Sequence, residues 1–403
     1  PSFDNTTSAI LHKFYDDWYQ PNNAIFVIVG DVDPAATLSQ VKQLFGGIAK
    51  GNVPAQAPIK LAPFKPQTIS STTPDATGAV QFLYRVPGMK STDAAATTVL
   101  MDVLNNARSP LSELAVQGKV LSADAQVQPF SYGGIGVVEA GFAKGADPKQ
   151  AQADLDGVIR QVLKDGVSAD LVEAAKRSEQ AQFEFSKNSA VSQASAWSQA
   201  LAWQGLNSPE EAEQQIQAVT VDDVNRVARE YLKADQRVTV VLTPDPNGKR
   251  PPNSNGFGGT ESFGGNDKLD APLPSWATQA LAKLDMPHWT LDPTRMKLAN
   301  GITLIVQPES VSKTVTVVGH VDHDDKLQEP GGQDGVGKLL TSLFDYGTSS
   351  LDRNAFHKAL DAIAASESGG TDFSLAVPSA HFDEGVRLLA DNELHPALPQ
   401  QAF

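Results

Sequence analysis

The spacing of apolar residues predicts a chain in which helices and strands of unequal length follow one another. Aromatic and aliphatic residues recur at helical intervals over 5–20, and Pro21-Asn22-Asn23 ends that helix. The uninterrupted apolar run 24–29 predicts a buried strand. Asp33-Pro34 supplies the N-cap and the first position of a helix that continues to Phe45.

A longer unit follows a linker at 52–66 that is rich in proline and alanine. The pattern predicts strands at 78–86, 120–142 (a pair turning at Gly133-Gly134) and 237–242, and helices at 92–106, 148–164, 168–205 and 209–233. The order of helix, short break and strand around Tyr19 recurs around Tyr231. This repeat favours two successive α+β units that share a topology.

A third unit is predicted after the stretch 245–275, which has little to bury and therefore suits a linker. Asn300-Gly301 lies between two short apolar runs, which predicts a hairpin over 296–306. Further strands are predicted at 315–323 and 372–377, and helices at 334–345, 351–365 and 383–393. The third unit looks incomplete and the N-terminus lacks the features of a signal peptide, so we expect a fragment of a longer polypeptide.

The amino-acid composition limits the kinds of partner and site that the chain could have. The 403 residues carry a formal net charge of −15, which argues against a nucleic-acid surface built from clustered Lys and Arg. No apolar run reaches the roughly 18–20 residues that a membrane span needs. The chain has no cysteine, which removes disulfides, thiolate metal sites and Cys nucleophiles. This suits an oxidising compartment, although cytosolic proteins without cysteine are common.

One motif suggests a phosphate-binding loop and another suggests a metal site, but each has a simpler structural interpretation. Gly332 to Lys338 fits the spacing Gly-x-x-x-x-Gly-Lys, but Leu339 stands where a phosphate loop needs Ser or Thr for magnesium. A glycine-rich entry to a helix explains the pattern better. His320 and His323 could form a metal pair, but residues three apart on a strand point to opposite faces, so a solvated loop is favoured. No Gly-x-Ser-x-Gly elbow supports a hydrolase triad.

A family resemblance covers most of the chain. The frame Gly335-Val336-Gly337 followed by Phe344 and Gly347-Thr348 resembles the zinc helix of the insulinase/pitrilysin-like (M16) metallopeptidases. The segment from Phe14 to Gly46 is similar to the end of an M16 first domain. The stretch from Tyr84 to Leu111 is similar to the opening of the following non-catalytic domain, and Leu298 to Leu304 resembles the start of another first-type domain.

The resemblance implies that the zinc motif His-x-x-Glu-His has degenerated here. Lys338 and Ser342 stand at the histidine positions and Thr341 at the glutamate, so we expect no metal ligand and no catalytic residue in this chain. The family also steadies substrates with an Arg and a Tyr from a non-catalytic domain. Ala115 and Leu121 stand where these would be sought, so those roles do not transfer either.

The expected fold is of the α+β class, with repeated M16-type (LuxS/MPP-like) α/β sandwich domains whose mostly antiparallel sheets are packed by helices. Four segments are expected. Residues 1–50 end a catalytic-type first domain, 60–245 form a non-catalytic second domain, 246–284 form a flexible linker, and 285–403 begin a degenerate third domain.

The resemblance implies a non-catalytic portion of a zinc-dependent endopeptidase that encloses and degrades peptides, with its zinc site upstream of this chain. Its partners would be the peptide substrate and other M16 domains of the same polypeptide, with no nucleic acid and no membrane span. The alternative is a non-enzymatic M16-like scaffold or partner-binding subunit, and whether the chain serves an enzyme stays open. A periplasmic or secreted location is expected, with the cytoplasm as the alternative.

Overall fold

The computed structural model describes residues 6–56, 58–62, 65–245, 273–282, 292–322, 329, 331–333 and 335–402. The chain divides into two units, one formed by residues up to 245 together with those from 312, and the other by residues 246–311. Among the described residues, no helix is both long enough and apolar enough to cross a bilayer.

The larger unit begins with two helices, after which strands and helices follow one another along the chain. The helices are α1 (Ser8–Trp18), α2 (Pro34–Phe45), α3 (Ala94–Asn105), α4 (Pro110–Val116), α5 (Pro148–Asp165), α6 (Ala169–Ser186), α7 (Ala190–Ser198), α8 (Pro209–Gln217) and α9 (Val221–Tyr231). The strands up to residue 245 are β1 (Gln67–Thr73), β2 (Thr77–Val86), β3 (Ser122–Pro129), β4 (Gly134–Ala143) and β5 (Arg237–Pro244). A π-helical turn, Gln199–Gln204, continues α7.

The smaller unit contains helix α10 (Ser275–Ala282) and an antiparallel hairpin of β6 (Thr294–Lys297) and β7 (Thr303–Val306). The hairpin confirms the Asn300-Gly301 turn, where Gly301 has a φ of +97° that a glycine adopts without strain. Helix α10 lies within the predicted linker, and most of the remaining linker lies outside the described residues.

From residue 312 the larger unit continues with a second sheet and its helices. These are β8 (Thr314–His320), α11 (Val336–Leu343), α12 (Arg353–Ala362), β9 (Ser366–Ser368), β10 (Asp372–Pro378) and α13 (Phe382–Leu394). The three strands pair in the antiparallel order β8-β10-β9. A small core of Ile363, Leu375, Val377 and Leu389 joins this sheet to its helices.

The main core lies on one face of a five-stranded sheet of order β1-β5-β2-β4-β3. Alternate residues of β2 are buried, among them Val80, Phe82 and Tyr84, and pack with α5 and α9 in a core that also includes α3. The intervening Leu83 and Arg85 are only half-buried. Helices therefore cover one face of the sheet, while side chains on the other face stay partly exposed, as an antiparallel sheet permits.

The predicted fold class is confirmed, since the sheets are mostly antiparallel and helices pack on them. Only β1 and β5 pair in parallel within the described sheets, and strand β1 was not expected. The predicted helices 168–205 and 209–233 are each divided. The first breaks at 187–189, where Ser189 caps α7, and the second at 218–220, where Thr220 and Asp223 form a capping box.

The predicted buried strand at 24–29 is wrong. Ile25, Phe26 and Ile28 are exposed, and no described strand pairs with this segment. An apolar run becomes a strand only when a neighbouring strand satisfies its backbone groups. The repeat built on Tyr19 and Tyr231 loses its first half for the same reason, because only the second strand forms.

A cluster of charged side chains joins α12 to residues 65–245, which form the five-stranded sheet and its helices and are called the first sheet domain below. The Arg108 side chain is 11% exposed, and its Nε donates to Oδ2 of Asp361 at 2.7 Å while Nη1 donates to Asp170 at 2.6 Å. The amide of Asn106 also donates to Asp361, at 3.2 Å to each oxygen, and Nε of Arg177 donates to its carbonyl oxygen at 3.0 Å. These hydrogen bonds hold α12 against segments that lie far from it in the sequence.

Substituting Asp361→Ala is expected to destabilise the larger unit by about 2–3 kcal/mol, because Arg108 would remain largely buried after losing one of its carboxylates. The free energy of unfolding in urea measures this effect. Asp165→Ala is the matched control, since Asp165 is an exposed aspartate in the last turn of α5, just as Asp361 lies in the last turn of α12. Equal destabilisation by the two substitutions would contradict the prediction.

Candidate functional site

Helix α11, which carries Lys338, Thr341 and Ser342, has a carboxylate at its N-terminus. The N–H of Gly335 donates to Oε2 of Glu329 at 2.8 Å, and the N–H of Gly337 donates to Oε1 at 2.9 Å. The first N–H groups of a helix point outward and attract anions. Glu329 therefore takes the position that a phosphate would need, which explains why the glycine-rich spacing does not make a phosphate loop here.

Lys338, Thr341 and Ser342 lie on one exposed face of α11, because positions i, i+3 and i+4 share a helix face. The hydroxyl of Thr341 donates to the carbonyl of Gly337 at 3.0 Å, and the hydroxyl of Ser342 donates to that of Leu339 at 2.7 Å. Such bonds turn the side chains back onto their own helix. The three positions have the spacing of the expected zinc motif, and their side chains are an amine and two hydroxyls.

The end of α11 leads into a charged cluster around Asp345. Nε2 of His357 lies 3.1 Å from Oδ1 of Asp345, and Nη2 of Arg353 lies 3.0 Å from Oδ2. Burial acts to raise the pKa of Asp345, but the hydrogen bond and charge of His357, with the charge of Arg353, outweigh it and lower the pKa. Arg353 also donates to the carbonyl of Ala107 at 2.7 Å, which ties this cluster to the first sheet domain.

A second polar cluster lies behind α11, between β9 and α13. Asn392 is fully buried and its Nδ2 donates to both oxygens of Glu367, at 3.1 and 3.3 Å. Glu393 accepts a bond from the N–H of Gly370 at 2.7 Å, and a Cβ on Gly370 would meet Thr341 at 3.1 Å. Burial raises the pKa of Glu367 to about 7, although the Asn392 bond acts in the opposite direction.

Metal-binding geometry is not found among the described residues, where no group of three or more His, Asp or Glu side chains could hold an ion. Nδ1 of His320 lies 2.7 Å from Oδ1 of Asp372 on the neighbouring strand β10. His323, the second member of the possible histidine pair, lies outside the described residues. The exposed His320 thus has a carboxylate neighbour that its sequence spacing did not indicate.

An Arg and a Tyr do meet in the first sheet domain, at a place that the sequence did not indicate. Arg226 donates to both oxygens of Asp93, at 2.7 and 3.1 Å, and the hydroxyl of Tyr231 donates to the same carboxylate at 3.0 Å. The bond from Arg226 is the main cause of the lowered pKa of Asp93. Burial and this carboxylate raise the pKa of Tyr231, so its hydroxyl is held as a donor to Asp93. By contrast, Leu121 is exposed and Ala115 lies in α4.

Parts of this chain resemble an inactive peptidase domain and proteins described as zinc proteases. Residues 5–179 match the model of the peptidase M16 inactive domain. The zinc protease PqqE of Helicobacter pylori is 24% identical over 250 residues, covering 60% of this chain and 56% of that protein. The probable zinc protease PqqL of Escherichia coli K12 is 50% identical over 36 residues, which are 9% of this chain and 4% of that protein.

A solved structure shares the fold. The crystal structure of a protease from Helicobacter pylori matches with a TM-score of 0.53 at 24% identity, and the match covers 60% of each chain. This chain therefore spans little more than half of the length of PqqE and of the Helicobacter pylori protease of known structure. The matched region of this chain, residues 5–179, contains the apolar segment 24–29 and four of the five strands of the larger sheet.

Glu367→Gln is expected to change stability in a pH-dependent way. Because the fold raises the pKa of Glu367 from 4.5 to about 7, it favours the neutral carboxyl, and this contribution is complete below pH 4.5 and lost as the pH rises through about 7. Glutamine stays neutral, so the variant should exceed the wild type in unfolding free energy at about pH 8, with a difference that shrinks towards about pH 5.

Urea unfolding at both pH values measures that difference. Glu384→Gln on the exposed first turn of α13 serves as the control, and its effect should not follow the same pH dependence. A difference for Glu367→Gln that is the same at both pH values would contradict the expected protonation.

Proposed function

Because residues 5–179 match the inactive domain of the peptidase M16 family, we propose that this chain is a non-catalytic portion of a zinc-dependent endopeptidase that encloses and degrades peptides. The observation that carries the proposal is the match to an inactive domain of that family, together with a motif helix whose ligand face holds Lys338, Thr341 and Ser342. The zinc and the residues that hold it would come from a domain upstream of Pro1.

The exposed apolar surface of residues 6–50 supports this organisation. Ile10, Phe14, Ile25, Phe26 and Phe45 are each at least half exposed. The ring centres of Phe26 and Phe45 lie 5.6 Å apart, and exposed apolar patches mark surfaces that pack against another protein or domain. We propose that residues 1–50 complete a catalytic-type domain, in which segment 24–29 gains the neighbouring strand that it lacks among the described residues.

The remaining domain boundaries belong to the same proposal. Residues 60–245 form the non-catalytic second domain, 246–284 the linker, and 285–403 the beginning of a degenerate third domain. The Arg108–Asp361 cluster supports a scaffold role, because it fixes part of the third domain against the second. In the whole polypeptide the two halves would form the walls of a peptide chamber.

A second candidate is a non-enzymatic M16-like scaffold that binds partners. The same exposed apolar surface favours it, since a partner subunit could cover residues 6–50 as well as an upstream domain could. For either candidate we propose a periplasmic or secreted location, supported by the absence of cysteine, with the cytoplasm as the alternative.

The two candidates differ in the activity of the whole polypeptide. The 403-residue chain alone is expected to show neither a tight stoichiometric zinc site in a titration nor hydrolysis of a fluorogenic peptide. The whole polypeptide is expected to show both, and replacing the glutamate of an upstream His-x-x-Glu-His by glutamine should abolish hydrolysis.

The controls separate binding from catalysis. The glutamate variant should still bind zinc, because that residue is the base rather than a ligand. A whole polypeptide without His-x-x-Glu-His and without peptidase activity would favour the scaffold. Tight zinc binding by the 403-residue chain itself would contradict the degenerate interpretation of Lys338, Thr341 and Ser342.

A further inference from the structure

A cavity of about 490 Å³ lies among the helices of the first sheet domain. Residues of α3, α6 and α8 form most of its walls, and the π-helical turn Gln199–Gln204 contributes to another. Phe183 and Ile216 are among the apolar side chains that line it. Cavities of this size, lined by apolar side chains with a few polar groups, are the usual form of ligand sites.

The ionisable side chains that line the cavity are all acidic. Glu179 of α6 and Glu213 of α8 belong to the lining, and no described Lys, Arg or His does. Four glutamines add amide oxygens, of which Gln199 and Gln204 are the first and last residues of the π-helical turn. Such turns are rare and occur frequently at functional sites. Carboxylate and amide oxygens are acceptors, so together they favour a ligand that is cationic and donates hydrogen bonds.

A third carboxyl group lies next to the lining, because Asp102 of α3 is hydrogen-bonded to Glu179. Oδ2 of Asp102 is shielded from solvent and accepts no hydrogen bond from an N–H or hydroxyl group of the described residues. Two carboxyl groups can form a hydrogen bond only if one of them holds a proton. Burial and the charge of Glu179 raise the pKa of Asp102 to about 8, and burial also raises the pKa of Glu179. A cation beside Glu179 would stabilise the ionised form that burial disfavours.

The cation that acts on this cavity from outside its lining has a partner of its own. Lys187 forms a salt bridge with Glu184, and its Nζ lies 4.7 Å from the ring centre of Phe183. Burial is the main cause of the raised pKa of Glu213, and the charges of Glu179 and Glu184 add to it, while the charge of Lys187 acts against it. The raised pKa shows that Lys187 does not balance the negative charge of the cavity.

We propose that this cavity binds a primary alkylammonium group, carried by a free amine or by a lysine side chain. The ammonium donates to Glu179 and Glu213, and the carbon chain packs against the apolar side chains of the lining. Glu179 is already bonded to Asp102. Glu213 already accepts a bond from Nε2 of Gln217 at 2.8 Å. Neither carboxylate therefore has both oxygens free for the planar fork of a guanidinium, whereas the three donors of an ammonium can reach one oxygen of each.

The test is isothermal titration calorimetry of the 403-residue chain with n-pentylammonium chloride and with pentan-1-ol, a probe of the same length without the charge. We expect the ammonium to bind about tenfold more tightly, as a charge-assisted hydrogen bond would give. The amide of Nα-acetyl-lysine and its Nε-acetylated form repeat the comparison on a lysine side chain. Binding of both ammonium probes would support the proposal for either source, and binding of pentylammonium alone would support it for free amines.

Variants of α8 separate the charge of the cavity from the charge of the whole chain. Glu213→Gln should weaken the binding of pentylammonium about tenfold and leave that of pentan-1-ol unchanged, because only the ammonium uses the carboxylate. Glu210→Gln removes the same charge from an exposed position on the same helix outside the lining, so it is the matched control and should leave both affinities unchanged. Circular dichroism of each variant checks that it is folded.

The affinity for pentylammonium should depend on pH through the carboxyl pair. The ammonium keeps its charge below about pH 10, whereas the pair loses its shared proton as the pH rises through the raised pKa of Asp102, about 8. The wild type should therefore bind more tightly at about pH 9 than at about pH 6. Asp102→Asn removes the carboxyl that shares the proton, so it should raise the affinity at about pH 6 and flatten the pH dependence.

Three results would overturn the proposal. These are no binding of either ammonium probe, equal affinities for pentylammonium and pentan-1-ol, and equal effects of Glu213→Gln and Glu210→Gln on the ammonium. The outcome is separate from the proposed function, because amine binding is measured without zinc or hydrolysis. A whole polypeptide without peptidase activity would leave a positive binding result standing.

Discussion

The Arg108 guanidinium is the constraint on which the arrangement of the larger unit depends. Its side chain is largely buried, and it forms salt bridges with Asp170 of α6 and with Asp361 of α12. A buried cation that loses a carboxylate is costly, so the position of α12 is specified by charge as well as by packing. The bond from Arg353 to the Ala107 carbonyl joins the same corner from the other side. The second sheet is thereby fixed to the first through a few polar contacts.

The two faces of the five-stranded sheet have different physical roles. Helices cover the face that carries Val80, Phe82 and Tyr84, and this burial supplies most of the core. The opposite face carries Leu83 and Arg85, which stay partly exposed. Sequence alternation along β2 produces both faces at once, since neighbouring side chains point in opposite directions. A single strand therefore places one set of side chains in the core and leaves the other set on the face that helices do not cover.

Local signals predicted the local structure well. The side chain of Asp33 accepts a bond from the N–H of Ala36 at 2.7 Å, and the Asn300-Gly301 turn forms its hairpin, because each depends on residues within a few positions. The frame from Gly335 to Thr348 also predicted the position of α11. The strand predicted at 24–29 failed because pairing needs a neighbour that the pattern itself cannot supply. Contacts such as Arg108–Asp361, 253 positions apart, leave no periodic signal in a single sequence.

Glu329 gives helix α11 its own counter-ion. A search for nucleotide sites by spacing alone would select Gly332 to Lys338, yet the backbone groups that would hold a nucleotide are already neutralised from within the chain. The helix therefore keeps a negative group at its positive end whatever side chains its outer face carries. The consequence is a constraint on sequence length. The number of residues between Glu329 and Gly335 must let the carboxylate reach the helix, so deletions there should be tolerated less well than substitutions of Lys338, Thr341 or Ser342.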